Sequence, residues 1–223
     1  MAKTCYICGE PGTSKEHAPA KSFFPEDEKY RKNLITVRSC SKHNEDTSKD
    51  DEYVRNIICM SIGNNAVAFQ QFMDKAVESF KKSQGLLKTT TGNAKRVYTD
   101  ETGTIKPTLA FAIDRTRFDN VIKKIAYALF YNDYNCTWNR GLITMTEFLR
   151  NSDMTADELG ELIQEAKKYL IEPEFDGNNP QVFKYKFMDT ESNDINEKIV
   201  WMKFYEGFEI FISAKENTFE PEI

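Results

Sequence analysis

Two short pairs of side chains constrain this chain more than any hydrophobic pattern in it. Cys5-x-x-Cys8 and Cys40-x-x-His43 are separated by residues 9–39, and they take three of the five cysteines and one of the two histidines in 223 residues. A gap of two residues lets both side chains of a pair point at one ion. The two pairs can therefore close a tetrahedral zinc site of three thiolates and one imidazole. Two unrelated cysteine clusters are the alternative, and they leave unexplained why the second pair ends in one of so few histidines. A redox role suits Cys5 and Cys8 less well, because redox Cys-x-x-Cys motifs sit at strand-to-helix junctions and this pair lies among Gly9, Pro11 and Gly12. Cys5, Cys8, Cys40 and His43 are the expected metal ligands.

The stretch Met1–Gly12 lacks the apolar core of a secretory signal, and no run approaches the roughly 18–20 apolar residues of a membrane span. The expectation is a cytoplasmic protein without membrane contact. In that reducing setting Cys-x-x-Cys serves metal binding better than a disulfide framework, and Cys59 and Cys136 read as ordinary buried thiols. The composition, 40% hydrophobic with sixteen Phe and ten Tyr, supplies one modest core and excludes disorder throughout.

A net charge of −5 argues at first against nucleic acid, but the sum hides two unlike parts. Residues 1–150 carry 23 Lys+Arg against 18 Asp+Glu, or +5, while residues 151–223 carry 7 against 17, or −10. Residues 75–124 hold 11 bases and 5 acids. A solvated helix face and a phosphate-binding surface account for that excess equally well.

The fold class expected is α+β. Glycine and proline punctuate the chain before Asn44, so no long helix fits there, and Leu34–Val37 is a short β-type run. Ser48-x-x-Asp51 resembles a capping box that opens a helix through about Met60. Apolar stripes predict further helices over about 64–83, 117–131 and 156–170, the last two behind Thr116-x-x-Asp119 and Thr155-x-x-Glu158. Residues 84–113 read mainly as turns and short strands. Beyond Pro180 the period changes to two, in Phe183, Tyr185 and Phe187 and again in Phe208, Ile210 and Ile212. With Lys198–Tyr205 between them and a turn near Glu206-Gly207, this predicts a small antiparallel sheet with strands over about 181–189 and 198–214. The boundary falls near Met60–Gly63, with a chemistry-bearing module in residues 1–60 and a helical plus antiparallel-sheet domain in residues 61–223.

His17 lies between the two ligand pairs, beside Glu16. A neutral imidazole there can act as general base on water. A neighbouring carboxylate and amide can hold a hard cation such as Mg²⁺ on a phosphate oxygen. Cys5-x-x-Cys8, Glu16-His17-x-Pro19, Asn33-Leu34 and Cys40-x-x-His43-Asn44 together resemble the zinc-bearing HNH endonucleases, the ββα-metal nucleases, over about residues 5–60. The resemblance implies an N-terminal zinc-bound ββα-metal module whose structural zinc sits on Cys5, Cys8, Cys40 and His43. It implies His17 as general base, Glu16 and Asn44 as ligands of a catalytic divalent metal (Mg²⁺, with Mn²⁺ or Ni²⁺ as substitutes), and Asn33 as the amide that braces the His17 loop.

The implied activity is metal-dependent hydrolysis of DNA phosphodiester bonds, at family level often in defence against phage or mobile DNA. Lys21 and Arg38 are candidate phosphate contacts, while Phe23 and Phe24 are expected to anchor their loop in the core. The competing expectation is a silent zinc scaffold that binds nucleic acid or a protein partner. A third expectation, compatible with the first, is an effector held silent, in which the acidic segment 151–223 covers the module's basic face in cis or docks a basic regulatory protein.

Overall fold

The computed structural model describes residues 4–44, 48–82, 85, 88, 92–101, 104–146 and 174–215. It opens with an antiparallel hairpin of β1 (Ser14–His17) and β2 (Thr36–Ser39), in which Ser14 faces Ser39 and His17 faces Thr36. The run read at 34–37 thus pairs two residues further on. Asn33 turns the chain with a left-handed φ of 51°, a conformation asparagine tolerates better than most residues. Ile35 joins the ladder only through its carbonyl, which accepts from the Ala18 N–H at 3.1 Å. In the intervening loop Phe23 and Phe24 are buried, as an apolar anchor requires.

A 3₁₀ turn, Ser41–His43, follows Cys40, and α1 spans Ser48–Met60, the helix that the Ser48-x-x-Asp51 pattern predicts. Its buried Tyr53, Val54, Ile57 and Ile58 recur at helical spacing. The order of the first sixty residues is strand, strand, helix.

Helix α2 (Ala66–Gln71) is capped by the Asn65 side chain, which accepts from the Val67 and Ala68 amides. It passes through a π turn (Phe72–Ala76) into α3 (Val77–Lys82), within the span expected for one helix. Strands β3 (Lys95–Glu101) and β4 (Thr104–Ala110) form a separate two-stranded ribbon, more regular than the short strands and turns expected there. Helix α4 (Arg115–Tyr134) overruns its predicted limits at both ends. Asp114, not Thr116, is the cap and accepts from the Arg117 N–H, and left-handed Asn135 (φ 55°) stops the helix. Beyond that stop Cys136 is exposed, contrary to the expectation of a buried thiol, whereas Cys59 is buried.

The remaining strands are β5 (Leu142–Thr146), β6 (Asp176–Asn179), β7 (Phe183–Met188), β8 (Ile199–Phe204) and β9 (Phe208–Ala214), joined antiparallel in the order β5-β9-β8-β7-β6. The span 198–214 holds two strands joined by a turn at Tyr205–Gly207, where the sequence places one near Glu206-Gly207. Strand β6 reads Asp-Gly-Asn-Asn, a turn composition, and is extended only because it pairs with the edge of β7. Val200, Met202 and Phe204 join Phe208, Ile210 and Ile212 in the main core, while Trp201 and Phe211 stack at 5.0 Å on the opposite face. The helix expected over 156–170 lies outside the described residues. No helix among the described residues is long and apolar enough to cross a membrane.

One apolar core runs from Cys5 to Ile212 without a break at residues 60–63. The connection there is docked. The Asn65 N–H donates to Tyr205 O at 3.0 Å, and its side-chain amide donates to Gln181 O and Glu206, each at 2.8 Å. Gly207 packs so closely that an added Cβ would lie 2.2 Å from Gly63 O. Gly207→Ala should cost about 2 kcal/mol, read as a lower urea midpoint with unchanged slope; an unmoved midpoint would show that this contact yields freely.

Candidate metal centre and the adjoining crevice

The amino-terminal pair sits in a tight knuckle. The Cys5 N–H donates to Glu10 O at 2.6 Å and the Gly9 N–H to Cys5 O at 3.0 Å, with Gly9 taking the left-handed φ of 75° that the turn requires. Tyr6 ties the knuckle to β2 by donating its N–H to Arg38 O at 2.9 Å. The second pair begins where β2 ends, and its 3₁₀ turn folds His43 back towards Cys40.

His43 Nδ1 lies 3.5 Å from Cys5 Sγ and 3.3 Å from Cys40 Sγ, and the sulfurs of Cys8 and Cys40 are 3.8 Å apart. All four ligand atoms fall within 4.8 Å of one another. Tetrahedral zinc, with bonds of about 2.3 Å to sulfur and about 2.0 Å to nitrogen, needs edges of about 3.8 Å between sulfurs and about 3.5 Å between sulfur and nitrogen. The spacings are those of a site that can hold one metal ion.

The thiols are not equivalent. Burial pushes the Cys5 thiol up, but backbone N–H groups of Cys8, Cys40 and Ile7 aimed at its sulfur outweigh burial and hold it below its ordinary value. Cys8 is pushed up to about 11, by burial first and then by the sulfurs of Cys5 and Cys40. Burial, with Lys42 and Lys124 nearby, lowers His43 and favours its neutral, ligating form. A bound cation would hold the remaining thiols as thiolates. Cys40→Ala should abolish retention of the ion bound per chain in the wild type and loosen the hairpin, measured by metal analysis after gel filtration and by circular dichroism; full metal retention would exclude Cys40 as a ligand.

Beside this cluster lies a narrow crevice lined by Tyr6, Glu16, His17, Asp51 and Lys124. The Thr36 hydroxyl has one proton and two neighbours, Leu34 O at 3.2 Å and His17 Nδ1 at 3.0 Å. When it donates to Leu34 O it accepts from Nδ1, and in that tautomer the neutral imidazole presents a lone pair at Nε2. Glu16 is fully engaged: Oε2 accepts from the Tyr6 hydroxyl at 3.1 Å and Oε1 pairs with Lys124 Nζ at 3.1 Å. Lys124 comes from α4 and is only 8% exposed.

Burial pushes the Asp51 carboxyl up to about 6, with Lys124 opposing the rise and Glu16 adding to it. Its ordinary value is 3.8, so between about pH 4 and 6 the folded chain binds more protons than the unfolded one. Stability at this group therefore falls as pH rises through that window, by at most about 3 kcal/mol. Asp51→Asn should raise the urea midpoint at pH 7.5 and leave it near the wild-type value at pH 4; a gain of equal size at both pH values would rule out a raised Asp51.

Of the residues singled out in the sequence, the structure gathers Cys5, Cys8, Cys40 and His43 into one cluster and sets Glu16 and His17 in one crevice. Asn33, Asn44, Lys21 and Arg38 do not line that crevice. Asn33 is an exposed turn residue whose carbonyl accepts from the Asn178 side chain at 3.0 Å, so its backbone conformation accounts for an asparagine there. Asn44 is exposed and donates its N–H to Cys40 O at 3.0 Å, closing the turn that carries His43. Lys21 is exposed and Arg38 half-buried on β2. Tyr6, Thr36 and Lys124 were not foreseen. Lys124 left a signal, a charge on the apolar stripe of α4, three residues after Val121.

No family model, curated protein or solved structure matches this chain. Its chemistry rests on its own geometry. By that geometry Glu16 does not fit as a ligand for a divalent cation. An ion on its carboxylate would stand about 4 Å from the Lys124 ammonium, a repulsion on the order of 8 kcal/mol at an effective dielectric near 20.

Proposed function

We propose that this chain hydrolyses nucleic-acid phosphodiester bonds, DNA being the expected substrate, with His17 as the base that activates water. The observation carrying this reading is the run of contacts Leu34 O, Thr36 hydroxyl and His17 Nδ1, through which Thr36 can accept the Nδ1 proton and free Nε2 of a half-buried imidazole as the base. The succession β1, β2, α1 with a Cys/His cluster at its base supports a ββα-metal frame of the HNH kind. Three thiols and one imidazole at tetrahedral spacing support zinc as the structural ion.

Hydrolysis needs a water placed in line with the bond to be broken and relieved of a proton as it attacks. Nε2 of His17 takes that proton while the water oxygen bonds to phosphorus. The bond from phosphorus to the departing sugar oxygen breaks, and that oxygen is protonated from solvent. Thr36 accepts from Nδ1 before and after the ring turns cationic, and so holds the imidazole's orientation through the step. Lys21 and Arg38 serve in this reading as contacts to flanking phosphates. No step runs through a cation on Glu16.

The second reading, a zinc scaffold that binds nucleic acid or a protein without cutting, is favoured by the Glu16–Lys124 pair, which removes the carboxylate from direct chemistry. Nicking of supercoiled plasmid separates the two. His17→Ala should nick at least about 100-fold more slowly than wild type, with metal content and circular dichroism unchanged. Equal rates would remove His17 as the base. A wild type that binds DNA in a salt-sensitive way, yet nicks nothing with or without Mg²⁺, Mn²⁺ or Ni²⁺, would leave the scaffold.

A further inference from the structure

We infer that Lys124 is the resident cation of the crevice, standing on Glu16 where the HNH resemblance puts a divalent ion, so that this carboxylate takes no metal. Three elements deliver charge to one place: Glu16 from β1, Asp51 from α1 and Lys124 from α4. The ammonium lies on the buried side of α4 beside Val121, Ile125 and Ala128, all of which line the same crevice. A lysine taken that far from water is held by its partners, and removing one partner leaves a charge uncompensated.

The helix that carries it is fixed along its length. At its start Arg117 pairs with Asp50, and the Asp114 N–H donates to the Tyr53 hydroxyl at 2.7 Å. Arg115 reaches across to Thr144 O at 2.9 Å on β5. Towards its end the Tyr131 hydroxyl meets Thr4 Oγ1 at 2.9 Å, beside the Cys5 knuckle. Lys124 therefore cannot leave Glu16 by a shift of the helix. Glu16 in turn is pinned from its other side by the Tyr6 hydroxyl.

The inference rests on the nuclease reading only for its catalytic consequence, and its test does not require cleavage. Mn²⁺ is titrated into zinc-loaded, full-length protein, with bound Mn²⁺ counted by the loss of its free electron-paramagnetic-resonance signal. Wild type should bind no Mn²⁺ tighter than about 1 mM. Lys124→Met, which strips the cation from Glu16 and Asp51, should gain a site at least about tenfold tighter, and adding Glu16→Gln should remove it. Mn²⁺ uptake by wild type that Glu16→Gln abolishes would overturn the inference, as would a folded Lys124→Met that gains nothing. If Lys124→Met loses its zinc or its fold, wild type and Glu16→Gln still decide, because uptake dependent on Glu16 is the overturning result and its absence the expected one. Failure to nick plasmid would sink the nuclease reading and leave this titration unaffected.

Discussion

Two strands of four residues each cannot hold shut the eighteen-residue loop between them, because so short a ladder does not repay the entropy of closure. Phe23 and Phe24 anchor the loop in the core, and Cys5 and Cys8 meet Cys40 and His43 at the open end of the hairpin. Once those four side chains converge, the ends of β1 and β2 are set. The register then puts His17 opposite Thr36 and leaves Glu16 beside Tyr6. The crevice chemistry follows from that closure.

The rest of the chain supplies the walls. The Tyr205 hydroxyl holds Phe23 O, the Gln71 side chain holds Ser22 O, and Asn178 and Asn179 take the carbonyls of Asn33 and Lys32. The loop that leads away from His17 thus satisfies its backbone with amides and hydroxyls from α2, β6 and the β8–β9 turn. The loop is held twice, by Phe23 and Phe24 in the core and by polar partners for its backbone carbonyls. The cost falls on the β8–β9 turn, where Tyr205 and Glu206 adopt positive φ values of 47° and 63°.

Much of this was legible in the sequence, for identifiable reasons. Ligand spacing found the cluster because the geometry of a two-residue gap is local. The stripe of Phe118, Val121 and Ile125 found α4, and the alternation around Phe208 and Ile210 found β9, because one buried face imposes a period. What escaped depended on partners far away in the chain. Strand β6 has no pattern of its own, and α4 is capped by Asp114 where the sequence pattern pointed to Thr116. The partner of Glu16 lies 108 residues downstream of it, and no local rule connects the two. The docking of Asn65 onto Gln181, Tyr205 and Glu206 left no local signal either.

The course of α4 has a consequence for how such a chain can change. It touches the beginning of α1 through Arg117, the crevice through Lys124 and the knuckle through Tyr131. The first sixty residues look like a portable cassette, yet cutting them out would strip Glu16 of its counter-ion and bare the apolar underside of α1. Grafted onto another scaffold, the cassette would carry its four metal ligands and its histidine, but with a naked carboxylate open to any cation the new host supplies.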